Sequence, residues 1–286
     1  MQGRLNHRFE RFAENRAPQA KRLESEYMDK LIKRTWRHYD KFAKNEHIVK
    51  RSIPILYFGD LEAYRKSKHR IITVGLNPSM KEFPSDLQRF KISRNKTIYI
   101  NSLNDYFKNK PYKWFKSYKH ILSGLDASYY PNDTVSSTAL HTDLCTPIAT
   151  NPAWTELVKS RKDIAEDLVS EGCKIWSRLM ECLKPHAIIC SIAEQHLRRL
   201  NIKDKKEIHR IKNKKDGTPR KKPYIFEAYT ISFNTGHTSF LFFGQAANTP
   251  FGSLSNEDKT KLGKSISKIL NNKFRGSSRE VRKPLS

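Results

Sequence analysis

The sequence lacks any long apolar segment. No hydrophobic run approaches the roughly 20 residues that a membrane-spanning helix requires. The opening residues, MQGRLNHRFERF, contain no apolar stretch of the kind found in secretory signals. There is no internal repeat either. We therefore predict a cytoplasmic protein that does not enter a membrane.

Cysteine is scarce, and its spacing forms no recognisable ligand pattern. The four cysteines are Cys145, Cys173, Cys182 and Cys190, and no two of them make a C-x-x-C pair. Zinc and iron–sulfur sites need converging thiolates, which nothing in this spacing suggests. Three of the four lie in apolar stretches, as expected for reduced core residues. We expect neither a metal nor an organic cofactor.

Acidic residues are few relative to basic ones. Lys and Arg number 55 against 29 Asp and Glu, which gives a formal net charge of +26 at pH 7. This excess favours a polyanionic partner such as DNA, because binding releases counterions and the field steers the partner from a distance. Simple solubility of a basic protein is the alternative explanation. No protein partner is implied, and we expect a monomer.

The chain is long enough for one sizeable core with an added element. Residues 1–50 are strongly charged and helical by pattern, and we predict a basic helical extension of two helices that break near Pro18. This extension either packs as an ordinary amphipathic pair or contacts nucleic acid. A central domain over 51–270 and a basic tail over 271–286 complete the predicted organisation.

Two basic insertions are predicted within the central domain. Nine Lys or Arg against one acid fall between Arg89 and Lys119, and we place residues 84–113 over the mouth of a site. Residues 203–222 carry ten Lys or Arg against three acids around an Asp-Gly turn, which predicts a basic hairpin or loop. The residues there predicted to bind DNA are Lys214, Lys215, Arg220, Lys221 and Lys222.

Short β-branched runs alternate with helical segments along the central domain. The predicted strands cover residues 69–76, 138–144, 186–192 and 228–234, and the predicted helices cover 111–124, 152–183 and the segment from 255. This alternation is typical of a three-layer α/β/α domain with a central, mainly parallel, four-stranded sheet. In such sheets the ligand site lies at the carboxyl ends of the strands.

Three polar clusters follow predicted strands. They are Asn-Pro-Ser at 77–79, His-Thr-Asp at 141–143 and Gly-His-Thr-Ser at 236–239. Because the ligand site of such a sheet lies at the carboxyl ends of its strands, we expect the three clusters to converge on one edge of the sheet and form a site there.

The clusters carry a resemblance to a known family. Residues 74–79 read VGLNPS, which resembles the first motif of the uracil-DNA glycosylase superfamily in its Gly-x-Asn-Pro-small form. The His-Thr-Ser at 237–239 is similar to the second motif, a His followed by a short loop. The segments 114–125 and 139–144 resemble the helix after the first motif and the strand that reads the base. The match spans about residues 68–270, and the order of the short pieces carries it more than any one of them.

The resemblance implies a monofunctional DNA glycosylase that flips a nucleotide out of the stack and hydrolyses its N-glycosidic bond, leaving an abasic site. Asn77 would position the attacking water. His237 would donate to the base and stabilise its negative charge, which lowers the barrier by about 3 kcal/mol. Structural alternatives remain open: Asn77 as a turn residue and His237 as a loop histidine bonded to backbone.

The predicted base pocket, which also includes Gly75, departs from the uracil pattern. Ser79 is small where uracil-specific relatives carry a bulky aromatic, so the pocket admits a substituent at C5. His141 and Asp143 flank the position of an Asn that matches uracil, and a carboxylate accepts from the N4 amino group of cytosine. We therefore expect a C5-modified cytosine, hydroxymethylated or glucosylated, as in the phage DNA that one branch of the superfamily attacks in phage defence. Asp143 could instead be the catalytic carboxylate, or merely orient His141.

Several contacts with DNA are predicted less specifically. Phe90 is the candidate for stacking on the base, with Phe83 as its rival. Ser239 and Leu241 are predicted to contact DNA, with Phe240 or Leu241 as the wedge that fills the hole left by the flipped base. The run 240–243 fits a buried strand equally well.

Other functions remain as alternatives. A uracil or mismatch glycosylase in base-excision repair is one, and a nucleic-acid-binding module without catalysis is another. A metal-dependent nuclease would use His141, Asp143 and His237, although the chain lacks a nearby acidic pair for two metals. A zinc deaminase is disfavoured because no H-x-E is followed by P-C-x-x-C.

Overall fold

The computed structural model describes residues 2–85, 87–109, 111–130 and 133–280. Residues 281–286 of the predicted basic tail lie outside the described residues, whereas the rest of that tail belongs to the last helix. No helix in the described part of the chain has the length and apolarity needed to cross a membrane.

The described chain contains seven α-helices and eight strands. The helices are α1 (Gln2–Phe42), α2 (Leu61–Lys66), α3 (Lys96–Asn104), α4 (Lys119–Gly124), α5 (Trp154–Ser160), α6 (Lys162–Leu183) and α7 (Asn256–Glu280). The strands are β1 (Ile71–Gly75), β2 (Ala127–Ser128), β3 (Ser137–Thr138), β4 (Leu140–Asp143), β5 (Ala187–Cys190), β6 (Ile202–Asn213), β7 (Pro219–Ser232) and β8 (Thr238–Gly244). Short 3₁₀ turns cover Met80–Glu82, Tyr106–Lys108, Lys113–Tyr118 and Glu194–Arg199.

Six of the strands form one sheet in the order β4-β1-β5-β8-β7-β6. The first four are parallel. β7 runs antiparallel to β8, and β6 runs antiparallel to β7. The prediction of an α/β fold with a mainly parallel central sheet is confirmed, but the sheet has six strands rather than four.

The parallel strands lie in the core of the protein. Every residue of β1, β4 and β5 is buried, as expected for parallel strands covered on both faces. β4 is unusual because three of its four residues are polar. Two of these find partners inside: Thr142 Oγ1 accepts from the indole N–H of Trp176 at 3.1 Å, and His141 lies against Thr73.

Residues 228–232 form a strand, as predicted, but this strand is antiparallel rather than parallel to its neighbour. It forms the end of β7, which is antiparallel, so its carboxyl end lies at the amino edge of the parallel strands. The fourth parallel strand is β8, which contains the apolar run 240–243. Local hydrophobicity identifies both runs as strands, but only the pairing between them decides their direction.

Residues 1–50 differ from the prediction in two ways. They contain one helix, α1, rather than two helices broken near Pro18. The buried side chains of its second half, including Met28, Leu31 and Trp36, join the main hydrophobic core, so this half is not separate from the domain. The ion pair between Arg34 and Glu171 ties α1 to α6.

The predicted insertion 84–113 is also part of the core rather than a cover over the site. It contains α3, and Tyr99, Leu103 and Tyr106 are buried in the main cluster. Within this segment Tyr112 is the residue that reaches the cavity described below.

α4 and α7 pack together through facing glycines. Gly124 ends α4, and a Cβ placed on Gly263 of α7 would lie 2.9 Å from its Cα. The same Cβ would collide with the backbone oxygen of Ile121. Backbone atoms cannot move aside as a flexible side chain can, so this close approach requires glycine.

We predict that Gly263→Ala lowers the free energy of unfolding by about 1–3 kcal/mol, the usual cost of overpacking. The higher helix propensity of alanine would stabilise α7 by about 1 kcal/mol on an open surface, so the sign of the change separates the two effects. Lys264→Ala, on the exposed side of the same turn, is the control. Equilibrium unfolding in urea measures both, and a stabilised Gly263→Ala would contradict the close packing.

Candidate active site

A cavity of about 530 Å³ opens at the edge of the sheet where the parallel strands end. Its wall includes residues 75–82 from the end of β1 onward, the end of β4, residues 191–193 and 195–196 after β5, and residues 246–250 after β8. The predicted site residues in this wall are Gly75, Asn77, Ser79, His141 and Asp143. Sequence reasoning therefore placed two of the three converging clusters correctly.

Asn77 is held by its amide nitrogen. Nδ2 donates to the Pro78 carbonyl and to Thr150 Oγ1, both at 3.1 Å. These bonds fix the plane of the carboxamide. The oxygen Oδ1 makes no hydrogen bond within the described residues, so it is the atom that can accept one from a water or a ligand in the cavity.

Ser79 lies two residues further along the same wall. Its hydroxyl accepts from the Lys81 N–H at 3.2 Å and caps the short turn that follows. The small side chain therefore has a local structural role, and it also leaves space in the cavity wall.

Asp143 is a buried carboxylate at the end of β4. Its side chain is 3% exposed, and β1 makes room for it by ending in Gly75, where a Cβ would collide with Oδ1. Oδ2 has no hydrogen-bond partner among the described residues. Burial raises the pKa of Asp143, and the neighbouring His141 opposes that rise. An unpaired buried oxygen in a cavity wall is suited to bind a ligand that brings a donor.

His141 is enclosed by aromatic rings. Its ring centroid lies 5.1 Å from those of both Trp114 and Phe115. Nδ1 lies 2.8 Å from the Thr73 hydroxyl, and Nε2 lies 3.7 Å from Asp143 Oδ1. The structure thus brings His141 and Asp143 together as a pair. Thr73 and the surrounding aromatic rings orient the His141 ring.

Glu82 is a second buried carboxylate in the same wall, and sequence reasoning missed it. It is 3% exposed and ends the 3₁₀ turn that begins just after Ser79. The Tyr106 hydroxyl donates to Oε2, and Arg89 Nε lies 3.9 Å from the same oxygen. Burial raises the pKa of Glu82 to about 7, with a further contribution from the charge of Asp143, while Tyr106 and Arg89 oppose the rise. The sequence signal was its position five residues after Asn77, in the loop that follows β1.

Phe90, the predicted stacking residue, does not line the cavity. It is 2% exposed and stacks on Tyr106, with ring centroids 5.4 Å apart, so its role is in the core. Phe83, its rival, packs against Phe90 and does not line the cavity either. The aromatic rings in the wall include those of Tyr112, Trp114 and Trp154.

Trp154 adds a donor to the wall. It begins α5 and is 5% exposed. Its indole N–H has no hydrogen-bond partner in the described part of the chain. Two residues of the cavity wall therefore contain a buried polar atom without a partner among the described residues: the indole N–H of Trp154, a donor, and Oδ2 of Asp143, an acceptor.

His237 is not part of this site, contrary to the prediction. It precedes β8, and its Nε2 lies 2.8 Å from the backbone oxygen of Pro185, just before β5. It therefore occupies the amino edge of the sheet, opposite Asn77, because β7 is antiparallel. The alternative explanation, a loop histidine bonded to backbone, is the one confirmed. A metal set of His141, Asp143 and His237 is split between the two edges for the same reason.

Ser239 and Leu241 are buried residues of β8 and cannot insert into DNA from this position. Ser239 is 1% exposed and donates to the Pro185 backbone oxygen at 2.7 Å. Leu241 is fully buried and pairs with Ile188 of β5. Both predictions fail because the run 240–243 is an interior strand.

Two further loops reach the cavity that sequence reasoning did not use. The loop after β8 contributes Asn248 and Thr249, and the turn after β5 contributes His196. Burial lowers the pKa of His196, and Arg199 lowers it further. The sequence signal for the first loop was its Asn-Thr-Pro cluster soon after the apolar run 240–243, which becomes informative once that run is assigned to a parallel strand.

The basic segment 203–222 forms the predicted hairpin. β6 and β7 pair on either side of a turn in which the Lys214 N–H donates to the Thr218 carbonyl. Because Phe226 pairs with Gly244 at the end of β8, the earlier part of β7 extends past the cavity edge. Arg220 donates to the Asn213 and Ser253 carbonyls and so braces the hairpin. Of the residues predicted to bind DNA, the exposed ones include Lys214, Lys215, Lys221 and Lys222.

We predict that Glu82→Gln is more stable than the wild-type protein at pH 8 but not at pH 5. The folded-state pKa of Glu82 lies above the ordinary value near 4.5, so folding favours its protonated form. This contribution is complete below pH 4.5 and is lost as the pH rises to about 7. Glutamine cannot ionise, so its advantage at pH 8 should be on the order of 3 kcal/mol. Urea unfolding at both pH values checks this, and an equal difference at both would contradict it.

No protein-family model matches the chain, and no curated protein matches it.

Proposed function

We propose that the protein is a DNA glycosylase that excises a C5-modified cytosine and leaves an abasic site. One observation carries this proposal: a single cavity at the carboxyl edge of the parallel sheet combines Asn77, His141 and Asp143 with aromatic walls. A basic hairpin lies along the same edge. The two features together suit a base that leaves the DNA stack and enters a pocket.

The geometry of Asn77 supports a role in placing the attacking water. Its amide nitrogen is occupied by protein acceptors, which leaves the oxygen free to accept a hydrogen bond. An amide orients a water well but is a poor base. It therefore suits a reaction in which the N-glycosidic bond breaks before the water adds.

The unpaired groups of the wall support recognition of a cytosine-like base. Asp143 Oδ2 is an acceptor without a partner among the described residues, and the N4 amino group of cytosine is a donor. The Trp154 indole N–H is a donor without a partner there, and an oxygen on the C5 substituent would accept from it. The cavity of about 530 Å³ falls within the range of about 300–1,000 Å³ typical of sites for ligands larger than a single ring.

Phage DNAs with unmodified, hydroxymethylated and glucosylated cytosine test the proposal directly. We expect release of the modified base, identified by mass spectrometry, with abasic DNA as the other product and no effect of EDTA. Release of uracil alone would overturn the assigned substrate. Strand cleavage that EDTA abolishes would overturn the reaction class.

In the same assay, Asn77→Ala should lower the single-turnover excision rate by at least about 100-fold, the cost of a misplaced reactant. DNA binding should stay nearly unchanged. His237→Ala is the control, since this side chain lies at the opposite edge of the sheet, and it should retain the wild-type rate. Equal rate losses in both variants would contradict the role assigned to Asn77.

Neutralising the hairpin should weaken binding to DNA of any sequence. Exchanging Lys214, Lys215 and Lys221 for alanine should flatten the slope of log K against log salt by about 1 for each phosphate that is no longer neutralised. Fluorescence anisotropy at several salt concentrations measures the slope.

The matched control neutralises three exposed lysines near the amino edge of the sheet, Lys66, Lys68 and Lys184. This variant has the same net charge as the hairpin variant. If both variants change the slope equally, net charge rather than the hairpin accounts for DNA binding.

A further inference from the structure

We propose that Glu82 is the catalytic acid that protonates the leaving base, an inference that rests on the proposed glycosylase function. The reaction needs such a group because breaking the N-glycosidic bond leaves negative charge on the base. His237 was predicted to donate to the base and stabilise this negative charge, but it lies at the opposite edge of the sheet. Another group in the cavity must therefore act on the base.

The contacts of Glu82 leave one of its oxygens available. The hydrogen bond from Tyr106 and the contact with Arg89 both fall on Oε2. Oε1 is the oxygen left for the cavity, whose wall Glu82 helps to form. The carboxyl is thus held at one end and presented at the other, as a positioned proton donor requires.

The other titratable groups of the wall fit this task less well. Burial and Arg199 favour the neutral form of His196 by lowering its pKa, so it is a weak proton donor. Asp143 is turned towards His141 through Oδ1. Its other oxygen, Oδ2, has no partner among the described residues and is the proposed acceptor for the base.

The surroundings of Glu82 favour a carboxylic acid that still holds its proton near neutral pH. The charged and titratable groups that face it are Tyr106, Arg89 and Asp143. Burial is the largest influence and raises the pKa of Glu82 to about 7. A substantial fraction therefore carries the proton at pH 7, and the acid is matched to the working pH.

Glu82 and a water each take part in cleavage of the N-glycosidic bond. The bond between C1′ and the ring nitrogen breaks, and its electron pair leaves with the base. Glu82 transfers its proton to the base, which departs neutral. Water, oriented by Asn77, adds to C1′, and the proton it loses restores Glu82 to the acid form. No oxidant, reductant or other reactant is needed.

The experiment is the pH dependence of single-turnover base release. For the wild-type protein we expect the rate to fall as the pH rises through about 7. Base release by Glu82→Gln should be slower by about 10²- to 10⁴-fold at pH 6. Its rate should also lack the falling limb, which is the decline in rate as the pH rises through about 7. Its affinity for DNA should stay unchanged. A Glu82→Gln variant that keeps either the wild-type rate or the fall in rate above pH 7 overturns the inference.

A matched control exists elsewhere in the chain. Glu181 is also buried and also accepts from a tyrosine hydroxyl, that of Tyr27, at 2.6 Å, but it does not line the cavity. Glu181→Gln should therefore keep the wild-type rate and pH profile. A rate loss equal to that of Glu82→Gln would mean that buried carboxylates act through stability alone and would overturn the inference.

Tyr106→Phe provides a second test that does not depend on Glu82→Gln folding. The Tyr106 hydroxyl stabilises ionised Glu82 and so lowers its pKa. Removing this hydroxyl should move the falling limb to higher pH. A limb that does not move, in a folded variant, overturns the inference.

Failure of the glycosylase function and failure of the Glu82 role give different results. If the wild-type protein releases no base from any DNA, the proposed function falls and the role of Glu82 falls with it. If it releases a base but its falling limb is the same in Glu82→Gln, only the role of Glu82 is overturned.

Discussion

The common direction of four strands is the constraint on which the site depends. β4, β1, β5 and β8 are parallel, so the segments that follow them emerge at one edge. Each strand is short, and the loops bring polar groups to a cavity with apolar walls. Sites at the carboxyl ends of such strands are a general property of open α/β sheets. In this protein one carboxylate, that of Asp143, belongs to the last residue of a strand, β4, rather than to the loop that follows.

Burying that carboxylate has a cost, and the structure offsets it only in part. Asp143 faces His141 through Oδ1, and its Oδ2 has no hydrogen-bond partner in the part of the chain that the structure describes. Glu82 adds a second buried acid to the same wall. Buried acids favour their protonated forms, and groups with perturbed pKa values concentrate at functional sites. Burying these acids lowers the free energy of unfolding near neutral pH. This cost to stability is the best indication that the cavity has a function.

Much of this could be predicted from local sequence. The apolar runs located β1, β4 and β5, and the Gly-Leu-Asn-Pro-Ser segment located the residues after β1. A buried strand has a recognisable composition, and a turn after it has recognisable residues, because both depend on near neighbours in the chain. Glu82 was missed because its position in the loop after β1 does not by itself distinguish a solvated glutamate from one that Tyr106 and the core enclose.

The sequence by itself determined the basic charge, the α/β class, and Asn77, His141 and Asp143 as polar residues at or just after the ends of short strands. Only the tertiary structure decided that β7 is antiparallel, which moved His237 to the opposite edge and made β8 the fourth parallel strand. It also decided that Glu82 and Trp154 belong to the cavity. The physical reason is that strand direction and burial arise from pairing between distant segments, which hydrophobic pattern alone does not encode.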